Sequence, residues 1–118
     1  MKSVLVLAHG SRLKETEATL EAIISMVKAK LPGIIIDYAF MEKSDRTVEK
    51  VVSSLAAQGV TEIKTVPYFL FKGIHLNEDI PEILAECAKE YPAISFSLGE
   101  TLGVDERLAD ILIDRIQG

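Results

Sequence analysis

The chain has 118 residues, with 13 lysines and arginines against 18 aspartates and glutamates, a formal net charge of −5. That length makes one domain, 1–118, with no room for a second core. Fractions of 48% hydrophobic and 26% charged exclude a disordered tail or a fibre, and the acidic balance argues against a general nucleic-acid binder.

In chain order, short apolar runs alternate with helical patterns. Val4–Ala8 is continuously apolar, as a strand covered on both faces should be. Leu20, Ile23, Ile24, Val27 and Leu31 then recur at helical spacing, and Pro32-Gly33 ends that helix. Residues 34–40 are β-branched and aromatic, the second strand. Val48, Val51, Val52 and Leu55 line the next helix, with Gly59 as its C-terminal stop. Residues 63–70 form the third strand, with Pro67 where pairing is ending because proline cannot donate to a ladder. Ile80, Ile83, Leu84, Cys87, Ala88 and Tyr91 make the third helical stripe. Asp79-x-x-Glu82 resembles a capping box there, with Pro81 in the first turn. Ile94, Phe96 and Leu98 alternate as an edge strand, and Leu108, Ile111, Leu112 and Ile116 form the last helix.

Strands alternating with helices imply parallel pairing through right-handed crossovers. The expected fold is a three-layer αβα domain with a four-stranded parallel sheet, order 2-1-3-4, and two helices on each face. The first and third strands are then neighbours where the winding reverses, and ligands bind open α/β sheets at that crevice. One cysteine offers neither an internal disulfide nor a Cys-x-x-Cys pair, which suits a cytoplasmic protein. The opening apolar run is too short for a signal peptide, and nothing approaches the ~18 apolar residues of a membrane span.

Both histidines of the chain fall at the expected crevice, His9 after the first strand and His75 past the third. Imidazoles there suit metal binding or proton transfer, because an ordinary pKa near 6.5 makes them neutral ligands or bases. Glu42 closes the second strand, and two histidines with a carboxylate can form a metal site with open positions. Asp45 also suits a helix N-cap. Arg12, Lys14, Lys43, Arg46 and Lys72 gather at the same edge, a rim for a polyanionic ligand. The apolar run Tyr68-Phe69-Leu70-Phe71-Lys72-Gly73-Ile74 serves either as core or as the floor of a site for a flat ligand. Phosphate-binding glycine loops and the Gly-x-Ser-x-Gly nucleophile elbow are missing. Cys87, on the buried stripe, reads as packing.

Leu5-Val6-Leu7-Ala8-His9-Gly10-Ser11-Arg12, Phe40-Met41-Glu42-x-Ser44 and Val66-Pro67-Tyr68-Phe69-Leu70-Phe71-x-Gly73-x-His75, followed by Asp79-Ile80-Pro81, carry a resemblance. The chain resembles the small sirohydrochlorin chelatases of the class II tetrapyrrole chelatase family, best known as a cobaltochelatase. The resemblance extends through Leu102-Gly103-Val104-Asp105. It implies a chelatase-like fold, a homodimer, and ATP-independent insertion of a divalent metal into sirohydrochlorin for cobalamin or a related tetrapyrrole. Co2+ is the first expectation and Ni2+ or Fe2+ the others, each as substrate, with no permanently bound cofactor. Carried over by motif, His9 is proton acceptor and metal ligand, and His75 the second metal ligand. Glu42 matches an acidic position near the metal. Asp45 and Leu70, Phe71, Lys72, Gly73 and Ile74 match positions that touch the tetrapyrrole, and Arg12 and Arg46 join them as cations for its carboxylates. Arg46 stands where the family usually has proline.

Two rival readings use the same residues. A metal or tetrapyrrole carrier predicts stoichiometric binding without accelerated insertion. A histidine-phosphatase-like site would need arginine immediately before the histidine, where this chain has Ala8.

Overall fold

A computed structural model describes residues 1–73 and 77–118; positions 74–76 enter only within the bounds of a helix. Four strands, β1 (Lys2–Ala8), β2 (Ile35–Phe40), β3 (Glu62–Pro67) and β4 (Ser95–Leu98), alternate with four helices. These are α1 (Lys14–Lys30), α2 (Val48–Ala57), α3 (Ile74–Glu90) and α4 (Glu106–Gln117). All strand pairings are parallel and the order is β2-β1-β3-β4, as the alternation predicts. Ala8 pairs with Phe40 and Leu7 with Pro67, so β1, β2 and β3 end level at one edge of the sheet.

The unbroken apolar run of β1 follows from what lies on each side of it. Leu5 and Leu7 join Ala39 and Ile63 against Val48, Val51, Val52 and Leu55 of α2 and Ile80, Leu84 and Cys87 of α3. Val4, Val6 and Ala8 alternate with them and meet Ile36, Tyr38, Phe40 and the Leu20, Ile24 and Val27 stripe of α1. Truncating a fully buried leucine such as Leu55 would cost roughly 2–5 kcal/mol.

The terminators act largely where the sequence puts them. Gly59 takes φ +86°, donates to Ala56 O at 3.1 Å, and Val60 N reaches Leu55 O at 3.2 Å. That pair of bonds is a Schellman motif, which only a residue at ease with positive φ completes cheaply. Pro67 is the last residue of β3, so the third strand stops three residues short of the expected Leu70.

Three expectations are corrected. The N-cap of α2 is Thr47, whose hydroxyl accepts from Lys50 N at 3.2 Å, because Asp45 lies a further two residues upstream on the exposed loop. The capping-box reading of Asp79 and Glu82 also fails. Extended Gly73 is the N-cap of α3 and accepts from Asn77 N at 3.0 Å, so the helix begins earlier and Pro81 lies inside it. Finally, two helices do not cover each face. Helices α2 and α3 cover one and α1 the other, whereas α4 has no buried residue.

Among the described residues, no helix is long and apolar enough to cross a membrane. Thr65, fully buried in β3, leaves its hydroxyl without a partner among the described residues. A buried orphan hydroxyl costs more than a methyl of the same shape. Thr65→Val should therefore raise unfolding stability by roughly 1 kcal/mol in urea titration. A loss of similar size would mean that the hydroxyl has a partner after all.

Candidate active site

The site begins with two backbone bonds beyond the end of the β1–β2 ladder. Met41 N donates to Ala8 O at 2.8 Å and Glu42 N to His9 O at 3.0 Å. The two strands thus continue side by side for two residues, and His9 and Glu42 emerge together. Gly10 makes this possible. It sits at φ +102°, and a Cβ there would stand 1.9 Å from Glu42 O and 3.1 Å from the Phe40 Cβ. Lys43 then turns the chain away with φ +57°, a conformation uncommon outside glycine.

His9 is exposed, and its ring meets Phe69 edge to face, with centroids 4.6 Å apart and planes at 86°. Phe69 comes from the loop after β3, so two neighbouring strands fix one imidazole. His9 and Glu42 line a cavity of about 710 Å³, together with Met41, Glu49 of α2, and Asp79, Glu82, Ile83 and Glu86 of α3. Its ionisable wall is five carboxylates around one imidazole. Such a wall attracts cations and disfavours bound anions. No three His, Cys, Asp or Glu side chains among the described residues already converge as a metal site.

The cations do not form one rim. Arg12, Lys14 and Lys43 line a separate pocket of about 210 Å³ with Asp45, Ser11 and Ser44. Lys72 pairs with Glu100 at 3.2 Å. With Leu70 and Phe71 it lines a depression of about 620 Å³ closed by residues 100–104. Phe71 is 78% exposed and Leu70 49%, so this loop presents apolar surface and does not fill core.

Arg46 is engaged elsewhere. Its guanidinium pairs with Asp37, lies 4.2 Å over the Tyr38 ring, and donates from Nε to Tyr38 O at 3.2 Å. Phe40 N donates to Arg46 O at 2.8 Å, so the residue clamps the 41–47 loop to the β2 edge. Tyr38 in turn donates its hydroxyl to Glu17 at 3.1 Å, and burial with that bond pushes its pKa up to about 12.

The sequence-derived site is thus partly assembled. His9 and Glu42 share one cavity, Arg12 and Asp45 share another, and Gly73 caps α3. The expectations for Ile74 and His75 lie outside the described residues. Beyond both histidines being expected past strand ends, position 75 belongs to the first turn of α3. The reading of the sequence missed Glu49, Asp79, Glu82 and Glu86 as cavity residues. The 79, 82, 83, 86 spacing on α3 was the available signal, obscured by taking Asp79 and Glu82 for a cap. Cys87 is buried, and burial pushes its thiol pKa up, with Glu49, Glu90 and Glu86 adding to the effect. It is packing, not a nucleophile.

Fold and site define an open α/β protein whose candidate ligand cavity lies at the carboxyl ends of its first strands. The CbiX family model matches residues 3–118, and the chain belongs to that family. It is 38% identical over 98% of its length to a sirohydrochlorin ferrochelatase of Priestia megaterium, but spans only 44% of that relative. It is 34% identical to a sirohydrochlorin cobaltochelatase of Methanococcoides burtonii, covering 95% of this chain and 92% of that one. Among solved structures, it superposes with a TM-score of 0.90 on the sirohydrochlorin chelatase SirB of Bacillus subtilis subspecies spizizenii in complex with cobalt. The identity there is 31%, over 98% of this chain and 50% of that chain. The chain therefore spans about half the length of some relatives and nearly all of others.

Gly10→Ala should cost about 2–4 kcal/mol in denaturant unfolding, because the added methyl collides with backbone. A variant within ~0.5 kcal/mol of wild type would show that the Glu42 loop yields freely.

Proposed function

We propose that this chain is an ATP-independent chelatase inserting a divalent metal, Co2+ foremost, into sirohydrochlorin on the route to cobalamin or a related tetrapyrrole. The reading is carried by one observation: in a chain of the CbiX family, His9 stands at a strand end on a cavity whose other ionisable lining residues are carboxylates. Cobalt is preferred over iron because the M. burtonii relative of matching length is a cobaltochelatase, whereas the P. megaterium ferrochelatase is about twice as long. Ni2+ and Fe2+ remain the competing substrates, since imidazole ligation suits all three ions.

A free-base macrocycle loses two pyrrole protons as a divalent cation enters. His9 ligates the metal through its one free ring nitrogen and, as the ion passes to the macrocycle, accepts one of those protons at that nitrogen. His75 is the second ligand in this reading. It precedes Asp79 by four residues and Glu82 by seven, the spacing of one helix face. Glu42, held beside His9 by its own backbone bond, is the carboxylate for the second proton or for guiding the ion. Few and mixed ligands favour release, because a site with open positions gives up its metal more readily than a closed four-ligand one.

The macrocycle itself needs an apolar face and cations. Exposed Leu70 and Phe71 supply the first, and Gly73 and Ile74 follow them in the chain at the start of α3. Arg12 and Lys72 supply charge for the pendant carboxylates, and Asp45 offers an acceptor at the loop opposite. Arg46, already paired with Asp37, contributes by fixing the 41–47 loop. Assembly of two copies and a cytoplasmic setting complete the proposal.

His9→Ala should leave stability within about 1 kcal/mol, because the side chain is exposed. It should lower the initial rate of Co2+ insertion, followed by the absorbance of sirohydrochlorin, by at least ~100-fold. Near-normal insertion by a folded variant would remove His9 from the mechanism. Stoichiometric binding by wild type with no acceleration would make the protein a carrier.

A further inference from the structure

The strand ends present two different surfaces. Ala8 pairs with Phe40, and Tyr68 N donates to Leu7 O at 2.8 Å, carrying the β1–β3 ladder one residue past Pro67. Phe40, Ala8 and Tyr68 therefore stand in one row, with Ala8 and Phe40 facing α1. Side chains alternate along a strand, so the next residue of each segment turns to the other face. Met41 and His9 line the cavity described above, and Phe69 packs against the α2 and α3 core.

On the α1 side the row floors a second cavity of about 380 Å³, which Leu13, Leu20 and Ile23 also line. Glu15, Thr16 and Thr19 are its polar lining residues. Tyr68 is 37% exposed and Leu13 64%, so the mouth is open and largely apolar. Leu13, Thr16 and Phe40 also line the pocket of Arg12, Lys14 and Lys43, so the apolar cavity runs into the cationic one. That pocket holds three cations against two acids, Asp45 and Glu17, and Glu17 already accepts from the Tyr38 hydroxyl. Among the described residues, Arg12, Lys14 and Lys43 make no ion pair, whereas Arg46 and Lys72 do.

An apolar seat opening onto cations fits a ligand with an apolar body and anionic arms. We propose that one edge of the tetrapyrrole seats in this groove, with Leu13 and Tyr68 against the ring and Lys14 and Lys43, beside Arg12, toward its carboxylates. A volume of about 380 Å³ lies at the low end of ligand cavities, so the groove takes one edge and not the whole ring system. Macrocycle and ion then approach His9 from opposite faces of the sheet, the ion from the side lined by Glu42 and the acids of α2 and α3. This assignment rests on the chelatase reading and adds to it Leu13, Lys14, Lys43 and Tyr68 as substrate-binding residues.

Titration of metal-free sirohydrochlorin against the protein, followed by the fluorescence of the macrocycle, tests the proposal without any insertion step. Leu13→Glu, which sets a carboxylate in the groove, should raise Kd at least ~10-fold. The pair Lys14→Gln, Lys43→Asn should raise it ~5-fold at low salt and less than ~2-fold near ~0.5 M, because exposed charges are screened. All three side chains are exposed, so circular dichroism should not change, and asparagine tolerates the φ of +57° at position 43. Should Leu13→Glu lose its fold, the lysine pair carries the test alone. Folded variants that bind within ~2-fold of wild type at low salt overturn the proposal. A changed oligomeric mass in Leu13→Glu overturns it too, by putting a second copy in the groove. Wild-type insertion with binding unmoved by these substitutions sinks this inference alone. A wild type that neither binds the macrocycle nor inserts metal sinks the chelatase reading and this inference with it.

Discussion

Two hydrogen bonds past the end of a strand decide where the chemistry can be. Once Ala8 and His9 accept from Met41 and Glu42, an imidazole and a carboxylate leave the sheet side by side, whatever the loops do later. The approach leaves no room for a Cβ at Gly10, and Lys43 accepts a left-handed conformation to turn the chain away. Phe69, from the loop after β3, then limits the ring of His9. Parallel pairing of β1 with both β2 and β3 is the condition for all of this. The apolar run that forces β1 to be buried on both faces is thus also what delivers His9 to the crevice.

Charge is divided around that point. Acids from the loop after β2, from α2 and from α3 line the cavity at His9, while Arg12, Lys14 and Lys43 line a separate pocket and Lys72 and Arg46 pair with acids of their own. In the proposed reaction, keeping the attraction for a cation apart from that for a polycarboxylate spares each reactant the repulsion that one charge alone would bring. The net charge of −5 records only the sum and hides this division.

Periodicity and terminators made the sheet order, the α1, α2 and α3 core stripes and the Gly59 stop legible, since each depends on local spacing. What escaped depended on tertiary placement. Asp79 and Glu82 carry a spacing that serves a cap or a helix face equally, and only the start of α3 at Ile74 separates the two. Thr47 outcompeted Asp45 as N-cap by lying next to the first helical residue. Arg46 looked like a free cation until Asp37 and Tyr38 were seen beneath it. The stripe of α4 was read correctly as apolar, yet an apolar stripe does not say which molecule covers it.

In the proposed reaction imidazole is the group that holds the incoming ion. X-ray absorption at the cobalt edge of protein loaded with one Co2+ per site measures that directly. Two imidazole ligands, reduced to one in His9→Ala, are the expected result; a shell of oxygen donors alone, unchanged by that substitution, would contradict it.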